Sequence, residues 1–120
     1  MAERKWRPSP PALVAAFERA ARGMRAAEQR KMFGYPAVFV NGNMFAGLVR
    51  DTMILRLGET DRTKLLALPG ARHFVAMGGR RMKEWMVVPS VVLKSPPRLK
   101  SWLGKALARS RALPPKRSTR

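Results

Sequence analysis

Several residue types on which common protein chemistries depend are scarce in this 120-residue sequence. It contains no cysteine, one histidine and seven acidic residues. The absence of cysteine excludes disulfides, thiolate metal sites and cysteine nucleophiles. A transition-metal site needs several nitrogen, sulfur or carboxylate ligands, and one histidine with scattered acids does not supply them. We therefore expect no metal and no other cofactor.

Catalytic candidates are correspondingly few. The single histidine is His73, and neither neighbour, Arg72 or Phe74, could orient it as a general base. The acidic residues are spread along the chain, at Glu3, Glu18, Glu28, Asp51, Glu59, Asp61 and Glu84. Pairing with the abundant arginines explains each of them more simply than general acid–base catalysis. We predict that the protein is not an enzyme, and a catalytic pair assembled across the fold is the alternative.

Long apolar runs are also missing. No segment reaches the roughly 18 uninterrupted apolar residues that mark a membrane-spanning helix. The N-terminus begins with charged residues and lacks the apolar run of a signal peptide, so we expect a cytoplasmic protein with no membrane association. The length suits a single domain. We predict that it covers residues 9–112, between a disordered basic N-terminus (1–8) and a disordered basic tail (113–120).

What the sequence has in excess is positive charge. Lysine and arginine number 25, giving a net charge of +18, and no acid follows Glu84. Such a chain attracts polyanions, of which nucleic acid is the first candidate and an anionic membrane surface the second. A solvated surface without a partner is the simpler alternative. We predict non-specific, salt-sensitive contacts with DNA or RNA from the C-terminal region, through Arg98, Lys105, Arg109, Arg111, Lys116, Arg117 and Arg120.

A glycine pair offers a second candidate site. Gly78 and Gly79 are flanked by Arg72, Arg80 and Arg81, so backbone amides and positive charge could meet a phosphate there. The glycines of the chain match neither a Walker loop nor a dinucleotide-binding fingerprint. An ordinary hairpin loop is the alternative interpretation of this segment.

The stretch from Lys31 to Leu57 predicts a β-meander of three strands. Its strongest turn signal is Asn41-Gly42, because a type I′ turn requires positive φ at both positions. A two-residue loop would pair Val40 with Asn43, Phe39 with Met44, and Val38 with Phe45. Both faces of that hairpin are then apolar. The alternative function is therefore a protein-interaction or homodimerisation module that uses the apolar sheet.

The remaining segments complete an α-β-β-β-α-β-β-α order. Ser9-Pro10-Pro11 and Ser95-Pro96-Pro97 both predict helix starts, in which serine caps and proline occupies the first turn. A short helix is predicted over Gly58 to Leu68, a weak strand over Arg72 to Val75 and a better one over Met82 to Val88. We predict an α+β two-layer sandwich with a five-stranded antiparallel sheet.

These segments resemble the N-terminal domain of the TfoX/Sxy family, regulators of bacterial DNA-uptake competence. The resemblance runs from about Arg30 to Leu107. It rests on Lys31-Met32-Phe33-Gly34, Val40-Asn41-Gly42-Asn43-Met44-Phe45-Ala46, Leu55-Arg56-Leu57, Met82-Lys83-Glu84-Trp85, Val88-Pro89, Leu99 and Trp102. Tyr35-Pro36 and Trp85 depart from the common pattern. The resemblance implies a fold similar to secretion chaperones and a regulatory or accessory role, and it supplies no catalytic residues.

Overall fold

The predicted meander lies at the centre of a larger antiparallel sheet. The computed structural model describes residues 7–76 and 79–116, without the side chain of Arg80. The elements of this part of the chain are α1 (Pro11–Ala21), β1 (Glu28–Met32), β2 (Tyr35–Val40), β3 (Asn43–Val49), β4 (Thr52–Arg56), α2 (Glu59–Leu66), β5 (Arg72–Ala76), β6 (Arg80–Val87), α3 (Ser90–Leu93) and α4 (Pro96–Arg111). The strand order is β1-β2-β3-β4-β6-β5. An α+β fold with an antiparallel sheet is confirmed.

The predicted number of five strands, and with it the predicted element order, is wrong. The start of the predicted meander, from Lys31 to Val40, does not form one strand. A two-residue turn at Phe33-Gly34 separates its first two residues, which belong to β1, from β2. Both turn residues have positive φ, 53° and 85°. Phenylalanine is not a residue that signals this conformation. The additional strand, Glu-Gln-Arg-Lys-Met, is almost entirely exposed at the sheet edge and has no apolar alternation to reveal it. The short helix α3 was also not predicted.

The turn at Asn41-Gly42 is confirmed, with φ of 50° and 79°. Val40 pairs with Asn43 and Phe39 with Met44, as expected. The third predicted pair is wrong, because Val38 pairs with Ala46 and the register shifts by one residue. Phe45 is the extra residue of this β-bulge and is fully buried. A bulge leaves one residue without a partner, so two-residue periodicity cannot predict it.

Strand register separates the two faces of the sheet, because directly paired residues share a face. One row crosses five strands as Val38, Ala46, Leu55 and Met86, with His73 opposite Met86. The four apolar residues of this row belong to the main core, which also contains buried residues of every helix: Phe17, Leu65, Val92, Leu99, Leu103 and Ala106. The helices therefore pack on this face, which we call the inner face.

The adjacent row defines the outer face. It crosses all six strands as Arg30, Ala37, Gly47, Ile54, Val87 and Arg72, with an arginine at each edge. Ala37, Ile54 and Val87 are buried although they lie outside the main core. Long side chains also cover parts of the outer face. The Met44 methyl lies over Gly47, and the Arg30 guanidinium lies 4.7 Å from the centre of the Phe39 ring.

The burial of the outer row bears on the predicted apolar docking surface. Ala37, Ile54 and Val87 are 1%, 5% and 7% exposed, so they offer a partner little apolar area without rearrangement of their neighbours. Most of the area that a stable interface would need must come from elsewhere on the surface. The homodimer or protein-partner function stays a prediction from the sequence pattern.

Candidate nucleic-acid interface

Helix α4 begins as its sequence predicted. Ser95 is its N-cap, and the Ser95 hydroxyl accepts a hydrogen bond from the Arg98 backbone amide at 3.4 Å. Pro96 and Pro97 occupy the first two helical positions, where a missing amide hydrogen removes no helical hydrogen bond. One side of the helix is buried against the sheet, through Leu99, Leu103, Ala106 and Ser110. The remaining sides carry the basic residues.

The predicted basic residues of α4 have different surroundings. Arg98 is exposed, and no carboxylate of the described residues pairs with it. The Lys105 ammonium lies 5.6 Å from the centre of the Trp102 ring, a cation–π contact on the same side of the helix. Arg109 instead donates a hydrogen bond from Nη2 to Glu84 Oε2 at 2.8 Å. Its charge is compensated, so Arg109 is the least available of the three to a phosphate.

Glu84 is the acceptor that connects α4 to the sheet. Its Oε1 also accepts a hydrogen bond from Arg56 Nε, at 2.9 Å. The carboxylate is 26% exposed and lies between the two arginines. The hydrogen bond from Arg109, assisted by that from Arg56, lowers the pKa of Glu84 from 4.5 to about 2, although partial burial opposes the shift. Glu84 is therefore a structural anion that holds two cations in place.

A groove beside α4 brings together cations that the sequence did not group. It lies between α1 and the segment that joins α3 to α4, and its volume is about 410 Å³. We call it the α1–α4 groove; it is lined by Ala16, Arg19, Ala20, Leu93, Lys94, Pro96, Pro97, Leu99 and Lys100. Three of these residues are cationic and none is acidic. The packing of α1 on α4 creates this cluster, so no local sequence signal could have located it.

The C-terminal segment contacts the central hairpin. The Lys116 amide donates to the Asn41 carbonyl at 2.8 Å, and the Asn43 side-chain amide donates to the Pro114 carbonyl at 3.0 Å. A side chain at Gly42 would overlap the Lys116 carbonyl. Residues 114–116 are thus held against the turn, whereas the sequence predicted a tail with nothing to bury from 113 onward. Arg111 and Lys116 are exposed; Arg117 and Arg120 lie outside the described residues.

The predicted phosphate loop is only partly described. Gly79 has a φ of 79°, and Arg81 is exposed on β6. Gly78 and the Arg80 side chain lie outside the described residues. Arg72 does not belong to this end of the hairpin, because it pairs with Val87 while Arg81 pairs with Val75. Arg81 and Val87 are six positions apart on β6, which corresponds to about 20 Å along the strand. The structure therefore does not bring Arg72 to the glycine turn.

The acid–base candidates are similarly dispersed. His73 lies on the edge strand β5, opposite Met86, and its Nδ1 is buried without a hydrogen-bond partner among the described residues. Within residues 7–76 and 79–116, no three histidine or acidic side chains lie close enough to hold a metal ion. In the same part of the chain, no helix is both long and apolar enough to cross a bilayer.

Comparison with known proteins identifies one family. Residues 20–110 match the TfoX N-terminal domain. This match spans α1 from Ala20, the whole sheet and nearly all of α4, and so covers more than half of the chain. No curated protein matches the sequence. The match includes Lys94, Arg98, Lys100 and Lys105 and ends before Arg111 and Lys116.

Proposed function

The chain belongs to the TfoX N-terminal domain family, and we propose that it is a non-enzymatic regulatory or accessory domain that binds nucleic acid by charge. One observation carries the proposal. The exposed cations Lys94, Arg98 and Lys100 have no carboxylate partner among the described residues, while Arg109 is the α4 cation that Glu84 compensates. A mixed-sign surface would serve solubility equally well.

The proposed mechanism is release of counterions from phosphates. Each phosphate that a lysine or arginine neutralises releases condensed cations, so affinity falls as salt rises, with a log–log slope of about 0.9 per contact. The helix presents no pattern for reading base edges, so we propose binding without sequence preference. Neutralisation by a polyanion would also relieve the self-repulsion of a +18 chain.

The test compares two variants of equal charge. Arg98→Gln/Lys105→Gln/Arg111→Gln removes three cations from α4. Arg25→Gln/Arg50→Gln/Lys64→Gln removes three exposed cations from other segments. Each variant therefore lowers the net charge by three, from +18 to +15. Fluorescence anisotropy with a labelled DNA would measure affinity between about 50 and 300 mM salt, because binding by charge weakens steeply in this range.

We expect the α4 variant to lower the salt slope by about 2 to 3, and the control variant to leave the slope near that of the parent protein. Equal losses in the two variants would mean that total charge, and no particular surface, attracts the DNA. Absence of binding by the parent protein at low salt would reject nucleic acid as the partner. Either result would contradict the proposal.

The finer implications of the family resemblance stay predictions. They are a fold similar to secretion chaperones and a link to bacterial DNA-uptake competence. The cytoplasmic setting, which is inferred from the N-terminal sequence, also stays a prediction. A protein partner remains the alternative to nucleic acid. Recovery of a protein instead of nucleic acid with the chain at low salt would favour that alternative.

A further inference from the structure

The α1–α4 groove combines a cationic rim with an apolar floor. Arg19, Lys94 and Lys100 supply the rim, and alkyl groups of the lining supply the floor, including Leu93 and the rings of Pro96 and Pro97. Apart from the three cations, no lining side chain carries a hydrogen-bonding group. The volume of about 410 Å³ falls within the range of about 300–1,000 Å³ that is common for sites that enclose a small molecule.

Backbone amides contribute little to anion binding at this end of α4. Pro96 and Pro97 have no amide hydrogen, and the Arg98 amide donates to the Ser95 hydroxyl. An anion in the groove must therefore be bound by the side chains of the rim. Long side chains adapt to phosphates in many positions, which suits a flexible ligand better than a fixed one.

We propose that the α1–α4 groove holds one unstacked nucleotide of a single strand, with its base on the apolar floor and its neighbouring phosphates on the cationic rim. This inference rests on the proposed function. Leucine and proline side chains contact base faces where they are inserted between partly unstacked base steps. The bases of a duplex are stacked inside the helix, so a duplex could meet only the rim. The groove therefore distinguishes a single strand from a duplex.

The same lining makes the recognition independent of sequence. Every base has an apolar face, whereas the groove has no amide or hydroxyl side chain that could read a base edge. Contact between one base and the floor should increase affinity for a single strand by about tenfold over a duplex with equal phosphate contacts, because removing about 50–60 Å² of apolar surface from water has an effect of that size.

The first test needs no variant. Anisotropy at fixed salt would compare an oligothymidylate, a duplex of the same length and an abasic strand with the same phosphates. We expect the oligothymidylate to bind about tenfold more tightly than the duplex, because only its bases can reach the apolar floor. The abasic strand should lose this advantage and keep the salt dependence. Equal affinity for the oligothymidylate and the abasic strand would overturn the inference.

The second test fills the floor. Ala16 lines the groove, whereas the adjacent Ala15 is exposed and lies outside it, so Ala16→Leu and Ala15→Leu add the same hydrocarbon in different places. Ala16→Leu should abolish the preference for a single strand and leave duplex binding unchanged, while Ala15→Leu should alter neither. A preference that survives Ala16→Leu in a folded protein would overturn the inference and leave the proposed function standing. Salt-insensitive or absent binding of all three ligands would instead reject the proposed function.

Discussion

Replacing Glu84 by glutamine tests whether the ion cluster beneath α4 stabilises the fold. The substitution keeps the side-chain shape and removes the charge that Arg56 and Arg109 share. The drop of the Glu84 pKa from 4.5 to about 2 would correspond to about 3 kcal/mol if it were realised in full. Solvent reaches the carboxylate and screens it, and exposed pairs contribute about 0–1 kcal/mol each. We therefore expect Glu84→Gln to lower the free energy of unfolding by about 1–2 kcal/mol at pH 7.

The pH dependence has a definite sign. The pKa of Glu84 is lower in the folded chain than in the unfolded chain, so the unfolded chain binds the proton more readily. The contribution of Glu84 to stability is present above pH 4.5 and is lost as the pH falls from there toward 2. The difference between the parent protein and Glu84→Gln should therefore shrink over this interval and vanish below pH 2.

Urea denaturation followed by tryptophan fluorescence would measure this difference, since Trp85 adjoins Glu84 and Trp102 lies on α4. Glu28→Gln is the matched control. It removes a carboxylate that also accepts a hydrogen bond from an arginine, Arg30 at 2.9 Å, but in a more exposed pair. We expect the control to have no measurable effect at any pH. A constant difference for Glu84→Gln from pH 7 down to pH 2 would refute the electrostatic explanation, because only a change in packing would be independent of protonation.

The remaining predictions concern backbone and capping contacts, each measured by urea denaturation. Gly42→Ala should lower the free energy of unfolding by at least about 1–2 kcal/mol, because the residue has positive φ and its side chain would displace the Lys116 carbonyl. Ser95→Ala should cost about 1 kcal/mol through loss of the cap, whereas Ser9→Ala should cost nothing, because the buried Ser9 hydroxyl has no partner among the described residues. Truncation after Lys116 should reduce the salt slope of DNA binding at unchanged stability, whereas truncation after Leu113 should also destabilise the chain by about 1–2 kcal/mol, since it removes two hydrogen bonds.

The parts of the fold that the sequence predicted are those with local causes. Asn41-Gly42 specifies a turn by itself, and Ser95-Pro96-Pro97 specifies the start of a helix. The predictions of secondary structure failed where contacts with distant parts of the chain determine the conformation. β1 pairs because β2 offers an open edge, and its own residues contain no strand pattern. The two Ser-Pro-Pro segments illustrate the difference, since Ser95 caps α4 while α1 begins one residue later in its tripeptide and Pro10 takes the N-cap position.

Prediction of the site was limited by the same distinction. The sequence identified the basic C-terminal region, including Arg98, Lys105 and Arg109, from its composition. It could not show that Arg109 is paired, because Glu84 lies 25 residues away on a strand. It also could not group Arg19 with Lys94 and Lys100, because only the packing of α1 against α4 brings them to one groove.

The distribution of the acids separates the charges that serve the fold from those that do not. Glu84 binds the two arginines at the contact between α4 and the sheet, and Glu59 and Asp61 lie in the first turn of α2, where negative charge is favourable. These carboxylates are engaged in folding. The cations of α4 and of the segment that joins α3 to α4 have no such partners among the described residues apart from Arg109, and their mutual repulsion opposes folding. This arrangement supports the proposed function, because a phosphate polymer would neutralise many such cations at once.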